Sequence, residues 1–240
     1  MTFYLIGLGL DLKSISLEAL EAIGKCDQIY LENYTVDFPY NSDELEKVLK
    51  KKIIKLNRED VESENILGKA KNNDIILLVY GNPLSATTHI SLILSAKKNN
   101  IKFRIIHAES ILTAIAETGL QLYKFGKTAS MPKFTKNFEP DSFLETIAQN
   151  QKINAHSLLL TDIKLSAKEA IAQLEKVCKN SKINFGKIII CSKLGTRESK
   201  IYFNTPEELL KKQIKMPFCI IIPSELHFVE EEALGLLSEH

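Results

Sequence analysis

Within residues 81–89, Asn82, Ser85, Thr87, Thr88 and His89 gather hydrogen-bonding side chains behind Gly81 and Pro83, two residues that bend a chain. Such a set can line a ligand site, because amides and hydroxyls donate and accept, and an imidazole does either according to its proton. Metal chemistry fits poorly, since His89 has no neighbouring ligand residues beside it. Cys26, Cys178, Cys191 and Cys219 form no Cys-x-x-Cys pair, which argues against a zinc site and against a secreted disulfide framework. Cys191 and Cys219 lie in apolar runs and read as buried packing residues. Ser110 precedes a helical pattern, where a hydroxyl can cap the helix or touch a ligand. His89 and Asp162 are placed to accept a proton, but neither is singled out as a general base, and Asp162 equally suits the start of a turn. His227 suits orienting a terminal helix as well as serving a site, and the acidic residues 230–232 read as a solvated face, with docking of a basic partner as the alternative.

These residues need elements to hold them. Residues 74–80 form an apolar run of strand length, as expected for a parallel strand covered on both faces. A helix is expected from 86 to 97, with apolar positions Ile90, Leu92, Ile93 and Leu94. Ligands of open α/β sheets bind at the carboxyl ends of the strands, so the intervening turn is a candidate pocket wall. Residues 2–6 repeat the arrangement, with a turn at 7–10 and a helix marked by Leu17, Leu20 and Ile23. A dinucleotide fingerprint is rejected there, because Leu12 occupies the position where helix and strand need a small residue.

Strands at 28–32, 53–56 and 103–107 continue the alternation, with a helix between the first two capped by Asn41 and Glu44, and another from 110 to 118 ended by Gly119. Strict alternation predicts parallel βαβ units. Residues 119–142 are irregular, so the division falls there, giving lobes 1–118 and 119–240. In the second lobe strands are expected at 156–160, 187–191 and 218–222, with an antiparallel one at 199–203. Ser166 and Glu169 predict a capping box, and Pro206 the first position of a further helix. Two tandem αβ lobes would leave a cleft between them.

The 240-residue chain has a net charge of +1, which argues against bulk attraction to nucleic acid. Lys outnumbers Arg 28 to 3, so bidentate phosphate clamps are scarce. Lys50, Lys51 and Lys52 read as a solvated helix end. No apolar run reaches membrane-spanning length and no signal-peptide core opens the chain, so a cytoplasmic protein is expected.

Several strings carry a resemblance. Gly7-Leu8-Gly9-Leu10, Leu31-Glu32-Asn33-Tyr34-Thr35, Arg58-Glu59-Asp60-Val61, the run from Gly81 to His89, His107-Ala108-Glu109-Ser110-Ile111, Thr118 through Gly126, and Pro223-Ser224-Glu225-Leu226-His227 stand in the order seen in the diphthine synthases. The sequence resembles that family, which belongs to the tetrapyrrole-methylase-like methyltransferases. The resemblance implies two tandem αβ lobes, a mostly parallel sheet in the first and a mixed sheet in the second, with S-adenosylmethionine in the cleft. It implies cofactor contacts at Leu10, Asn82, Ser85, Ser110, Ile111, Thr161, Leu194 and Phe218, with Leu10, Ser110 and Ile111 also agreeing in residue type. Asn82 stands where the family usually has Asp, Ser85 and Thr161 where it has apolar residues, and Phe218 where it often has His. The implied reaction is N-methylation of a 3-amino-3-carboxypropyl-modified histidine on translation elongation factor 2, by a homodimer, and the eukaryotic relatives also esterify the carboxylate. Two alternatives stay open: the same fold acting on a tetrapyrrole or ribosomal RNA, and a catalytically decayed relative that only binds the elongation factor.

Overall fold

The computed structural model describes residues 1–63, 65–179, 181, 183 and 185–238. The chain divides into two compact units, Met1–Leu112 and Thr113–His240, where the sequence suggested a division at 118/119.

The first unit is built on five strands, β1 (Thr2–Gly7), β2 (Gln28–Glu32), β3 (Ile54–Leu56), β4 (Ile75–Val79) and β5 (Lys102–Ile106). They form one sheet in the order β3-β2-β4-β1-β5, and every pairing is parallel. All of β4 is buried, which explains its unbroken apolar sequence. Phe3, Leu5, Ile75 and Leu77 face one side and pack with Leu92, Ile93 and Ala96. Ile6, Ile76 and Leu78 face the other and pack with Ala19, Ile23, Leu45 and Leu49. Alternate residues of each central strand thus feed two separate cores. Three of the helices begin at side-chain caps: Ser16 accepts from Ala19 N, and Asn41 with Glu44 and Asn57 with Asp60 form reciprocal boxes.

Two helices differ from the sequence reading. The helix expected from residue 86 begins at Ile90, because Ala86 takes a left-handed conformation (φ +56°) and the residues after it close a turn. Leu17, Leu20, Ile90 and Leu94 are exposed, while Ala19, Ile23, Leu92, Ile93 and Ala96 are buried. Small Ala19 and Ala96 let the helices lie close to the sheet, so bulk was a misleading guide to the buried face.

The second unit contains β6 (Ala129–Met131), β7 (Ser157–Thr161), β8 (Ile188–Ser192), β9 (Lys200–Asn204) and β10 (Phe218–Ile222), in the order β6-β7-β10-β8-β9. Only the β6–β7 pairing is parallel, which makes the sheet mixed. One face packs Leu159, Ile188, Ile190, Ile220 and Ile222 against Phe143, Ile147, Ile171 and Leu174 of helices Ser142–Lys152 and Ala167–Lys179. The expected Ser166–Glu169 box is present, and Pro206 opens its helix. The unit does not begin with the strand at 156, since β6 and the helix Ser142–Lys152 precede it. Three residues of strand are too few to show a period. Among the described residues, no helix is long and apolar enough to cross a membrane.

Candidate functional site

Three loops leave the carboxyl end of the first sheet, after β1, β4 and β5, and hydrogen bonds join them. Gly9 and Gly81 exchange a reciprocal pair, Gly9 N–H to Gly81 O at 3.2 Å and Gly81 N–H to Gly9 O at 3.0 Å. Both residues lie at left-handed φ, +71° and +69°, which glycine adopts without penalty. Gly7 meets a different demand: a Cβ there would stand 2.6 Å from Gly81 O, 2.8 Å from Pro83 Cδ and 2.9 Å from Ala108 Cβ. Only a residue without a side chain lets the three loops converge.

Asn82 ties the second loop to the third. Its Nδ2 donates to Ala108 O at 3.1 Å and to His107 Nδ1 at 3.1 Å, and its Oδ1 accepts from Leu84 N at 3.1 Å. A carboxylate could keep the last bond but has no hydrogen for the first two. Ser110 is buried and accepts from Leu112 N at 3.2 Å, so its hydroxyl does cap the following turn. Leu10 is buried, Ile111 half-buried, and Tyr80 Oη donates to Leu10 O at 3.0 Å, fixing the first loop. The loops thus bring Leu10, Asn82, Ser85, Ser110 and Ile111 to one end of one sheet.

Neither proton-accepting candidate is idle. His89 is buried just before its helix, and its Nδ1–H donates to Pro83 O at 3.2 Å, beside the Thr87 hydroxyl bond to the same oxygen at 2.8 Å. Burial lowers its pKa, against the opposing pull of the Glu32 charge. Glu32 is itself buried and accepts from Tyr34 N and from the Thr35 hydroxyl, so the 31–35 string folds around its own carboxylate. Asp162 takes Ile163 N at 2.9 Å and Lys133 N at 3.2 Å, the turn-forming role considered for it. No group of three or more His, Cys, Asp or Glu side chains that could hold a metal occurs among the described residues. The four cysteines are free thiols, with Cys26, Cys191 and Cys219 buried.

Thr161, Leu194 and Phe218 belong to the second unit and cluster at one end of its sheet. Thr161 Oγ1 donates to Phe218 O at 2.7 Å, joining the end of β7 to the start of β10. The Phe218 ring lies in the hydrophobic core, so its main chain is the part turned to polar work. Lys193 N bonds Pro217 O at 2.8 Å, and Glu117 holds the turn that follows through Gly195 N and Ser199 Oγ, both at 3.0 Å. Leu194, inside that turn, is buried.

The opposite end of the second sheet is closed by a different arrangement, which takes Glu230 out of the expected solvated face while Glu231 and Glu232 stay exposed as read. Glu230 is fully buried, and its carboxylate takes Lys124 Nζ at 2.6 Å, Gln121 N at 2.9 Å, His227 N at 2.8 Å and His156 Nε2 at 3.3 Å. Burial alone would raise its pKa, but these bonds outweigh it and hold the carboxyl down at about 2. Ser224 N donates to His156 Nδ1 at 2.9 Å, which assigns the proton of the neutral ring to Nε2. His227 caps the terminal helix through Val229 N, as expected. The 118–126 and 223–227 strings are therefore a structural clamp.

Sequence reasoning passed over Tyr80 and the neighbouring Phe38 and Tyr40, whose rings cluster with centroids 5.2 to 6.4 Å apart. Tyr80 closes the apolar run of β4, and that position was its only signal.

A profile of the Tetrapyrrole (Corrin/Porphyrin) Methylases matches residues 2–210. A protein of Methanococcus maripaludis named diphthine synthase is 38% identical over 249 residues, covering 98% of both chains. The chain belongs to the diphthine synthase family. A diphthine methyl ester synthase of Schizosaccharomyces pombe is 36% identical, covering 97% of this chain and 93% of that one. A crystal structure titled as a diphthine synthase superposes with a TM-score of 0.90 at 30% identity, covering 99% and 96%. Membership makes the chain a methyltransferase, and the parallel first sheet and mixed second sheet are those of the diphthine synthase fold.

Proposed function

We propose that the protein transfers methyl groups from S-adenosylmethionine to the amine of a 3-amino-3-carboxypropyl group on a histidine of translation elongation factor 2, the diphthine-forming step of diphthamide biosynthesis. The observation that carries this reading is the convergence of the three loops on Gly7, which brings five of the eight expected contact residues to one sheet end. The residues present fit the cofactor. A Cβ added at Gly81 would meet only Glu109 O at 3.7 Å and Leu10 Cδ2 at 3.8 Å, so the loop set keeps a small cradle lined by a carbonyl and an apolar side chain. Leu10 and Ile111 suit an apolar ring face, while Asn82, Ser85 and Ser110 suit ribose and amino-acid groups. We assign Thr161, Leu194 and Phe218 to the same cofactor.

The cofactor supplies a methyl on a sulfonium that leaves as a thioether, so the amine must be aimed at that carbon and give up its surplus proton. Aiming is the task of this chain, and in ideal cases orientation is worth roughly 7–11 kcal/mol. Carbonyl-rich turns at residues 7–10 and 81–85 suit a polarised methyl, which makes weak CH···O contacts. His89 and Asp162 are engaged in holding turns, and the proton is assigned to solvent. We assign the protein to the cytoplasm, in keeping with the sequence pattern, and to a homodimer, as the family resemblance implies. Mass spectrometry of elongation factor from a methylation-deficient strain, incubated with the protein and S-adenosylmethionine, tests the reading. Added methyl groups on the modified histidine are expected, and unchanged mass would refute it.

A further inference from the structure

Tyr40 carries an anomaly that the cofactor reading leaves unexplained. Its hydroxyl is a buried side-chain polar atom with no hydrogen-bond partner, alone in this among the described residues. Leaving a buried hydroxyl unmatched destabilises a fold, so such atoms are rare and call for a reason. The neighbourhood is well ordered. Phe38 packs edge-on against Tyr40 at 5.6 Å and against Tyr80 at 5.2 Å, and the Tyr40 and Tyr80 rings lie 6.4 Å apart. Rings this close hold one another in place and leave no room between them for a guest. Tyr40 is therefore a rigid phenol whose polar tip is unused. Tyr80, by contrast, spends its hydroxyl on Leu10 O at 3.0 Å, within the proposed cofactor loop.

The charges around the pair select the kind of group that would use that tip. Asp11 acts electrostatically on both phenols and Glu109 on Tyr80, and both are carboxylates. Glu109 is tied to the same loop, accepting from Ser14 Oγ at 3.3 Å, and Ser14 in turn bonds Asp11 N at 3.3 Å. The local field is negative, which disfavours an anionic partner and favours a cationic or N–H-bearing one. Burial and the Asp11 charge keep the Tyr40 phenol protonated, and its oxygen retains lone pairs that accept an N–H.

We propose that Tyr40 is an acceptor-contact residue: its hydroxyl oxygen takes an N–H of the amine to be methylated and so turns the nitrogen lone pair toward the methyl carbon. The inference rests on the methyl-transfer reading above and adds to it a residue and a role. An unspent hydroxyl kept at a cost to folding is what a contact made only with bound acceptor requires.

Tyr40→Phe separates this role from packing, since it keeps the ring and removes only the oxygen. The expected variant has an unchanged or raised Tm, binds S-adenosylhomocysteine within about twofold of wild type, and shows kcat/KM for the modified elongation factor lowered about tenfold. Tyr80→Phe is the counterpart, expected to weaken S-adenosylhomocysteine through loss of the Leu10 tie. Tyr40→Phe with wild-type kcat/KM, or with its loss confined to S-adenosylhomocysteine affinity, would overturn the inference alone. A wild-type protein that adds no methyl to the factor would overturn the methyl-transfer reading and this inference with it.

Discussion

Two regions of this molecule carry the strings that mark its family, and they are built on opposite plans. The loops at the carboxyl end of the first sheet converge through glycines, main-chain bonds and the Asn82 amide, with Asp11 and Glu109 in the same loops, and they leave room for a methyl group beside Gly81. The clamp is made of charged and ionisable groups around a fully buried Glu230, whose carboxylate takes several donors at once. The difference separates two uses of a recognisable string. Where a ligand must enter, side chains are withheld and backbone does the holding. Where a terminal helix must be locked to a sheet, a buried carboxylate is matched by a cation and several N–H donors.

The comparison breaks most visibly at the clamp. Lys124→Ala leaves the Glu230 carboxylate buried without its cation, and urea unfolding should show a loss of about 3–5 kcal/mol with affinity for S-adenosylhomocysteine intact wherever the protein stays folded. Gly7→Ala should have the reverse profile. Its methyl meets backbone and side-chain atoms of two other loops at under 3.0 Å, costing about 1–3 kcal/mol of stability and abolishing measurable S-adenosylhomocysteine binding in a calorimetric titration.

Acid sharpens the contrast further. Burial lowers the pKa of His156, a group the fold keeps neutral, so its contribution is complete above the ordinary histidine value and is lost as pH falls through the lowered one. Glu230, held at about 2, adds stability that is present above the usual carboxylate range and disappears as pH falls from there toward 2. Both signs agree, and so does that of His89. Melting temperature should therefore decline from pH 7 downward, steepening below about pH 4.5, and a Tm flat across that range would contradict the clamp. The smallest effect is expected from Asn82→Asp, which keeps the Leu84 N–H bond and loses the donor to Ala108 O. A stability loss of about 1 kcal/mol and a change in cofactor affinity of about tenfold or less should follow.

Much of the scaffold was readable in the sequence, and the reasons are physical. A continuous apolar run of strand length that ends at Gly81 and Pro83, such as residues 75–79, points to a covered strand, and caps such as Asn41 with Glu44 are local devices that need no tertiary information. The turn at residues 81–85 was legible because Gly and Pro constrain the chain there. What was hidden depended on distant partners. β6 is short and exists by pairing with β7. Glu230 looked like one of three solvated acids, because the residues that bury it, Lys124 and His156, stand far away in sequence. Leu17 and Ile90 were chosen for size, whereas the sheet accepted Ala19 and Ala96. The unused Tyr40 hydroxyl is invisible in any sequence, since having no partner is a property of three-dimensional surroundings.

The most direct test of the account is calorimetric titration of the purified protein with S-adenosylhomocysteine, run beside Gly7→Ala. A saturable isotherm of one site per chain for the wild type, lost in the variant, is predicted. A wild-type protein that takes up no ligand, or a variant that binds as tightly as wild type, would contradict it.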